Sequence, residues 1–99
     1  MNNDAFLINT SRGGTVDPDA LRESLAAGKI AGAALDVTLP EPILPDDPLV
    51  HMENVIVTPH IASASAATLR RMGLMSADNI ISYLKGKPMP ACLNPEAGK

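Results

Sequence analysis

Two apolar runs, "AFLIN" at 5–9 and "AGAALDV" at 31–37, flank a segment that reads as a short helix. No other feature constrains the chain as much. Strand, helix, strand within about 30 residues is a βαβ unit, with parallel strands and a right-handed crossover. Neither run alternates polar with apolar residues, so both read as strands buried on both faces. The helix lies within "TVDPDALRESLAAGKI" and has clear ends. Asp17 is a good N-cap, Pro18 suits the first helical position, and Asp19 sits at the positive end of the dipole. Leu21 and Leu25 share one face, and Gly28 followed by Lys29 marks the C-terminus. The glycine and alanines of the second run predict close packing of a helix against that strand.

A third apolar, β-branched run, "VIVTP" at 55–59, is stopped by Pro59 and followed at once by His60. Between it and the second strand lies "TLPEPILPDDPLVHMEN". There Pro40, Pro42, Pro45 and Pro48 exclude a helix longer than about one turn. A stiff loop of this length inside a compact domain tends to be functional. "SASAATLRRMGLMSADNIISYLKG" then predicts the longest helix, about 64–85, ended by Gly86 and Pro88. Leu69, Met72, Gly73, Ser76, Ile80, Tyr83 and Leu84 form a stripe at helical spacing that reads as a packing face. The tail "MPACLNPEAGK" reads as extended. The fold class expected is α/β: a parallel sheet of about three strands plus a long C-terminal helix.

Composition removes several functions. With 99 residues, 45% hydrophobic and 19% charged, the chain suits one ordinary globular domain. A net charge of −3 without a basic block, and 2% aromatic residues, argue against nucleic acid. No apolar run approaches the ~20 residues of a membrane span. The start "MNNDAF" lacks the pattern of a signal peptide, and the single Cys92 fits a reducing compartment, so a cytoplasmic location is expected.

In open parallel sheets, ligands bind beyond the carboxyl ends of the strands. Here the first strand runs into Arg12, the second into Asp36 with Glu41 soon after, and the third into His60. Parallel neighbours would gather these four at one edge. Gly13 and Gly14 would let the chain turn sharply after Arg12 and leave a ligand room to approach. Arginine is the planar fork that grips a carboxylate, and histidine moves a proton near neutral pH. A glutamate beside it favours the imidazolium form. Anchor and proton donor together suit reduction of a ketone next to a carboxylate.

The stretches "INTSRGGTVDPDALRESLAAGKIAGAALDV", "PEP" at 40–42 and "DPLVHMENVIVTPHIAS" closely resemble the D-2-hydroxyacid dehydrogenases. "SRGGTVD", "LDVTLPEP", "TPHIAS" and "KGKPMP" are most similar to the glyoxylate/hydroxypyruvate reductase branch. The resemblance spans at least residues 5–90 and implies an NAD(P)-dependent enzyme with a Rossmann-like sheet, whose C-terminal part is present here. It implies that Arg12 binds the carboxylate of a 2-oxo acid, that His60 is the general acid and that Glu41 is its partner. It places Thr10, Arg12, Asp36, His60 and Ala62 on the cofactor side, with Ser63 beside Arg12 and His60 at the substrate. The branch favours NADP over NAD, and the family implies a homodimer with no metal, nucleic acid or membrane partner. Residues 1–63 would then close the nucleotide-binding domain, and 64–99 would lead back to the substrate domain. The family's phosphate-binding Gly-x-Gly-x-x-Gly turn has no counterpart in these 99 residues. The expectation is therefore the last third of a dehydrogenase, beginning at an internal methionine and inactive alone.

Plainer uses compete at each position. Arg12 could close a surface turn, Glu41 could be a solvated loop charge, and His60 could be a strand-end histidine. Asp36 could cap a loop through its side chain. His51 reads as surface and Cys92 as inert. Two other functions stay open: a non-catalytic module that associates with another chain, and a small hydrolase using Ser11 or Ser63 with His60. The second lacks the Gly-x-Ser-x-Gly elbow.

Overall fold

In the computed structural model, which describes residues 1–98, three strands form one parallel sheet in the order β1-β2-β3. They are β1 (Phe6–Asn9), β2 (Gly32–Leu35) and β3 (Val55–Val57). Helix α1 (Pro18–Ala26) connects the first two, and helix α2 (Ala66–Leu84) follows the third. The chain divides into two units, Met1–Ala62 and the part from Ser63 onward.

Local chemistry sets the ends of α1. The Asp17 carboxylate accepts from the N–H groups of Asp19 and Ala20, Pro18 opens the helix, and Gly28 leaves it at a φ of +62°. Register pairs Phe6 with Gly32 and Asn9 with Leu35. On the other side of β2, Ala33 pairs with Val55 and Leu35 with Val57. Beyond the strands the ladder continues by one rung on each side. The Asp36 N–H donates to the Asn9 carbonyl and the Thr58 N–H to the Leu35 carbonyl, both at 2.9 Å. The three carboxyl ends are therefore level, which is what brings the loops after them together.

The core lies on one side of the sheet. Leu21 and Leu25 of α1 pack with Ile30, Ala33, Leu35 and Leu49. Leu49 belongs to a one-turn 3-10 helix, Pro48–Val50, within the proline-rich loop. No α-helix crosses from β2 to β3. Leu49, with Ile43 and Met52 packed near it, supplies the apolar cover that a crossover helix would. The prolines allow this one turn and no more.

Several expectations change. β1 is not buried on both faces: Phe6 and Ile8 are 69% and 73% exposed, because α1 and the loop cover only the opposite face, and Ile56 of β3 is 66% exposed on the same open side. The close approach at Gly32 comes from elsewhere than a helix. A Cβ there would lie 2.6 Å from the Asn54 carbonyl oxygen and 3.0 Å from the Phe6 ring. The stripe on α2 is not packed. None of its residues is buried, since no second layer lies over that helix within its unit. Ser65 caps α2 through the Thr68 N–H, and Gly86 ends it at a φ of +65°. The tail is not simply extended, for Pro95–Gly98 form a 3-10 turn; its last residue, 99, lies outside the described residues. Among the described residues no helix is long and apolar enough to cross a membrane.

Candidate active site

At the end of β3, Thr58, Pro59 and His60 form a tight turn in which the His60 N–H donates to the Thr58 carbonyl at 3.0 Å. His60 itself has a φ of +54°, a left-handed conformation uncommon outside glycine. Asp36, at the end of β2, holds this turn. One oxygen, Oδ1, accepts from the Thr58 hydroxyl at 2.5 Å and the Ile61 N–H at 2.8 Å, and Oδ2 accepts from the Ala62 N–H at 2.8 Å. The Thr58 hydroxyl first, and then the Ile61 and Ala62 N–H groups, hold the Asp36 carboxyl below the usual carboxylate range, against the opposing effect of desolvation. Capping of the turn is thus the use of Asp36 that the geometry displays.

The His60 ring is oriented by Glu41. Its Nδ1 is hydrogen-bonded to Glu41 Oε1, and Nε2 has no partner among the described residues. Glu41 arrives from the loop, flanked by cis peptide bonds at Leu39–Pro40 and Glu41–Pro42. Asp36, Glu41 and His60 line one cleft of about 580 Å³, together with Thr38, Ile43, Val50 and Val57. A second hollow, of about 190 Å³, lies on the open face of the sheet. Thr10, Asp36, Thr58 and Ala62 line it, over an apolar floor that includes Ile8, Ala34 and Ile56. Asp36 and Thr58 form the wall shared by both.

Arg12 stands apart. It is exposed, lines neither hollow, and has no carboxylate partner among the described residues. One guanidinium nitrogen donates to the Ser11 carbonyl at 2.6 Å. Its backbone, by contrast, is held firmly by the buried side chain of Asn9. Asn9 Oδ1 accepts from the Ser11 N–H at 3.1 Å and the Ser11 hydroxyl at 2.8 Å. Asn9 Nδ2 donates to the Arg12 carbonyl at 3.0 Å and to Thr15 Oγ1 at 3.3 Å. This amide makes all four bonds open to it. The Ser11 hydroxyl is thereby engaged with Asn9 and lies 3.2 Å from Thr15 Oγ1. Ser63 begins the second unit.

Gly13 has a different purpose from the one expected. A Cβ there would sit 1.9 Å from the Thr38 carbonyl oxygen and 2.8 Å from the Leu39 nitrogen. The missing side chain makes room for the neighbouring chain, not for a ligand, and it seats the Arg12 turn against the loop that carries Glu41. Gly14 has open space around it.

Two residues of consequence carry weaker sequence signals. Asp47 accepts from Arg22 Nε at 3.1 Å and Nη2 at 2.5 Å, and caps the 3-10 turn through the Leu49 N–H at 2.9 Å. Hydrogen bonding to Arg22 holds the Asp47 carboxyl below its ordinary range, and the same bond raises the already high value of Arg22. Asp47-Pro48 repeats the Asp17-Pro18 pattern, which is a legible capping signal. Arg22 has a local partner in Asp19, three residues before it, but nothing local signals its grip on Asp47, 25 residues away. His51 is exposed, and its Nε2 lies 3.0 Å from the Pro45 carbonyl.

Comparison with known proteins gives the family. Residues 1–62 match the family model for the D-isomer specific 2-hydroxyacid dehydrogenase, NAD binding domain. A glyoxylate reductase of Korarchaeum cryptofilum is 50% identical over the whole chain, which spans 30% of that protein. The human glyoxylate reductase/hydroxypyruvate reductase is 46% identical over 92% of the chain and 28% of its own length. Among solved structures, a D-isomer specific 2-hydroxyacid dehydrogenase of Xanthobacter autotrophicus Py2, in complex with NADPH and MES, superposes on all of the chain with a TM-score of 0.77 and 38% identity, over 40% of that protein. The chain therefore spans about 30% of the length of the curated relatives it matches. A level-ended parallel sheet and a histidine–glutamate pair at its carboxyl edge accompany a family match over residues 1–62, and the chain belongs to the D-isomer specific 2-hydroxyacid dehydrogenases.

Proposed function

We propose that this chain supplies the proton donor and the carboxylate anchor of an NAD(P)-dependent reductase of small 2-oxo acids, glyoxylate and hydroxypyruvate. The hydrogen bond between His60 and Glu41 at the mouth of a 580 Å³ cleft carries the reading. As the carbonyl is reduced, oxygen gains negative charge and needs a proton. His60 gives that proton from Nε2, the nitrogen left free by Glu41. Glu41 fixes the ring by its Nδ1. Arg12 swings from the Ser11 carbonyl to pair with the substrate carboxylate through both arms of its fork.

The 190 Å³ hollow suits the flat end of a nicotinamide, since its apolar floor accepts a ring and Thr10 is among the residues that line it. Thr10 and Ala62 would hold that end, and Asp36 would keep the wall in place. A reduced nicotinamide held there would supply the hydride. Either NADH or NADPH serves in this reading, and the branch that the sequence resembles favours NADPH. Residues 64–99 lead toward the substrate domain in this reading. Cys92, free among the described residues, suits a reducing, cytoplasmic compartment. The 99 residues alone hold a donor and an anchor without a phosphate-binding turn, so they are not expected to turn over substrate.

The test is a chimera. This chain replaces the matching stretch of the Korarchaeum glyoxylate reductase, and NADPH oxidation is followed with glyoxylate and with hydroxypyruvate. Turnover with both is expected. A folded chimera that binds NADPH and reduces neither acid would contradict the reading.

A further inference from the structure

The proline-rich loop is held at several places, among them the Thr38 hydroxyl on the Pro40 carbonyl at 2.8 Å and His51 Nε2 at 3.0 Å from the Pro45 carbonyl, and two further attachments bear on His60. At one end Glu41 meets His60. Six residues on, Asp47 is gripped by Arg22 of α1 with two hydrogen bonds, one from Nε and one from Nη2. The Asp47 side chain is only 5% exposed, and its third bond, from the Leu49 N–H, starts the turn that buries Leu49 in the core. Pro42 and Pro45 lie between Glu41 and Asp47 and restrict the backbone there. Arg22 is itself steadied by Asp19 through Nη1 at 2.6 Å, an exposed contact one turn away on α1. Glu41 is exposed and has no bond except that to His60 among the described residues, so its position depends on the stiff segment behind it.

We propose that Arg22 is a positioning residue for the proton donor: by clamping Asp47 it sets where Glu41 stands, and through Glu41 the orientation of the His60 imidazole. The inference rests on the reading of His60 as general acid, yet it can be tested apart from turnover. Arg22 touches neither His60 nor Glu41. The effect travels along the Glu41–Asp47 segment, which has few backbone states between two fixed points.

The measurement is made on the full chain, recording the ¹⁵N and ¹H shifts of the His60 ring. Glu41→Gln first defines how the signals move when the charged partner is lost. Arg22→Leu is expected to displace them in that same direction, and the double variant to add nothing beyond Glu41→Gln. Glu23→Gln, a charge on α1 with no bond to Arg22 among the described residues, should leave them in place, which separates the clamp from a general change of charge on the helix. If Arg22→Leu unfolds the chain, Arg22→Lys is read instead. It keeps the charge but not the two-armed grip, and should give a smaller displacement of the same sign. A folded Arg22 variant whose His60 signals match the wild type would overturn the clamp alone. His60 signals that ignore Glu41→Gln would instead overturn the His60–Glu41 pair and the functional reading with it.

Discussion

Gly13 and Arg12, adjacent in sequence, show how differently two residues of one motif are constrained. Gly13 has no space for a Cβ, because the Thr38 carbonyl occupies it. Gly13→Ala must push two backbones apart, and overpacking of this kind costs about 1–3 kcal/mol. Urea unfolding should show that loss, whereas Gly14→Ala, in open space, should stay within about 0.5 kcal/mol. Arg12 is exposed, and in the proposed function it binds the substrate carboxylate. Arg12→Lys keeps the charge and loses the fork, so in the chimera KM for the oxo acid should rise about tenfold to a hundredfold, with kcat changed less. Equal KM for the two would remove Arg12 from the anchor role. Arg12, Asp36 and His60 stand out in the sequence as polar residues placed at the ends of apolar runs, whereas Glu41 lies in the proline-rich loop and is singled out only by the family resemblance. Asn9 was not, since one asparagine closing a strand looks like any other. Its four hydrogen bonds exist only once Ser11, Arg12 and Thr15 have curled around it.

Elements with their own punctuation were readable, and elements defined by distant partners were not. Asp17, Pro18 and Gly28 mark α1 from within, and the helix ends where they say. Asp17→Ala should lower stability by about 1 kcal/mol, seen as a lower urea midpoint at unchanged slope. The loop before β3 carried four prolines as a local signal, but its attachment to α1 depends on Arg22, far away in sequence. Likewise the open face of β1 and β3 could not be read, because a run of apolar residues looks the same whether one face is covered or both. Acid is the element-scale probe. The folded values of Asp36 and Asp47 are both lowered, so each contributes stability that is complete above the ordinary carboxylate range near 3.9. That stability is lost as pH falls through the lowered values. Melting temperature should therefore drop steeply below about pH 4, and Asp47→Asn should flatten part of the slope. A wild-type profile that is level down to pH 2 would contradict this.

At the scale of the whole molecule, the exposed surface is unusually apolar. Phe6, Ile8 and Ile56 leave one side of the sheet bare, and the α2 stripe is bare as well. Patches of this kind promote association. The 99-residue chain is expected to sediment as dimers or larger species, and Ile56→Lys, at a 66% exposed position, should lower the association without lowering the melting temperature. A wild-type chain that stays monomeric at high concentration would show that the bare sheet face needs no cover.

The central claim is that the His60 imidazole delivers the proton. It is tested most directly by His60→Gln in the chimera with hydroxypyruvate, with kcat and the NADPH dissociation constant measured side by side. Loss of a general acid predicts a fall in kcat of roughly 10²–10⁴-fold, with NADPH binding nearly unchanged. A kcat within about twofold of the unsubstituted chimera would contradict the account, because a general acid cannot be lost at so small a cost.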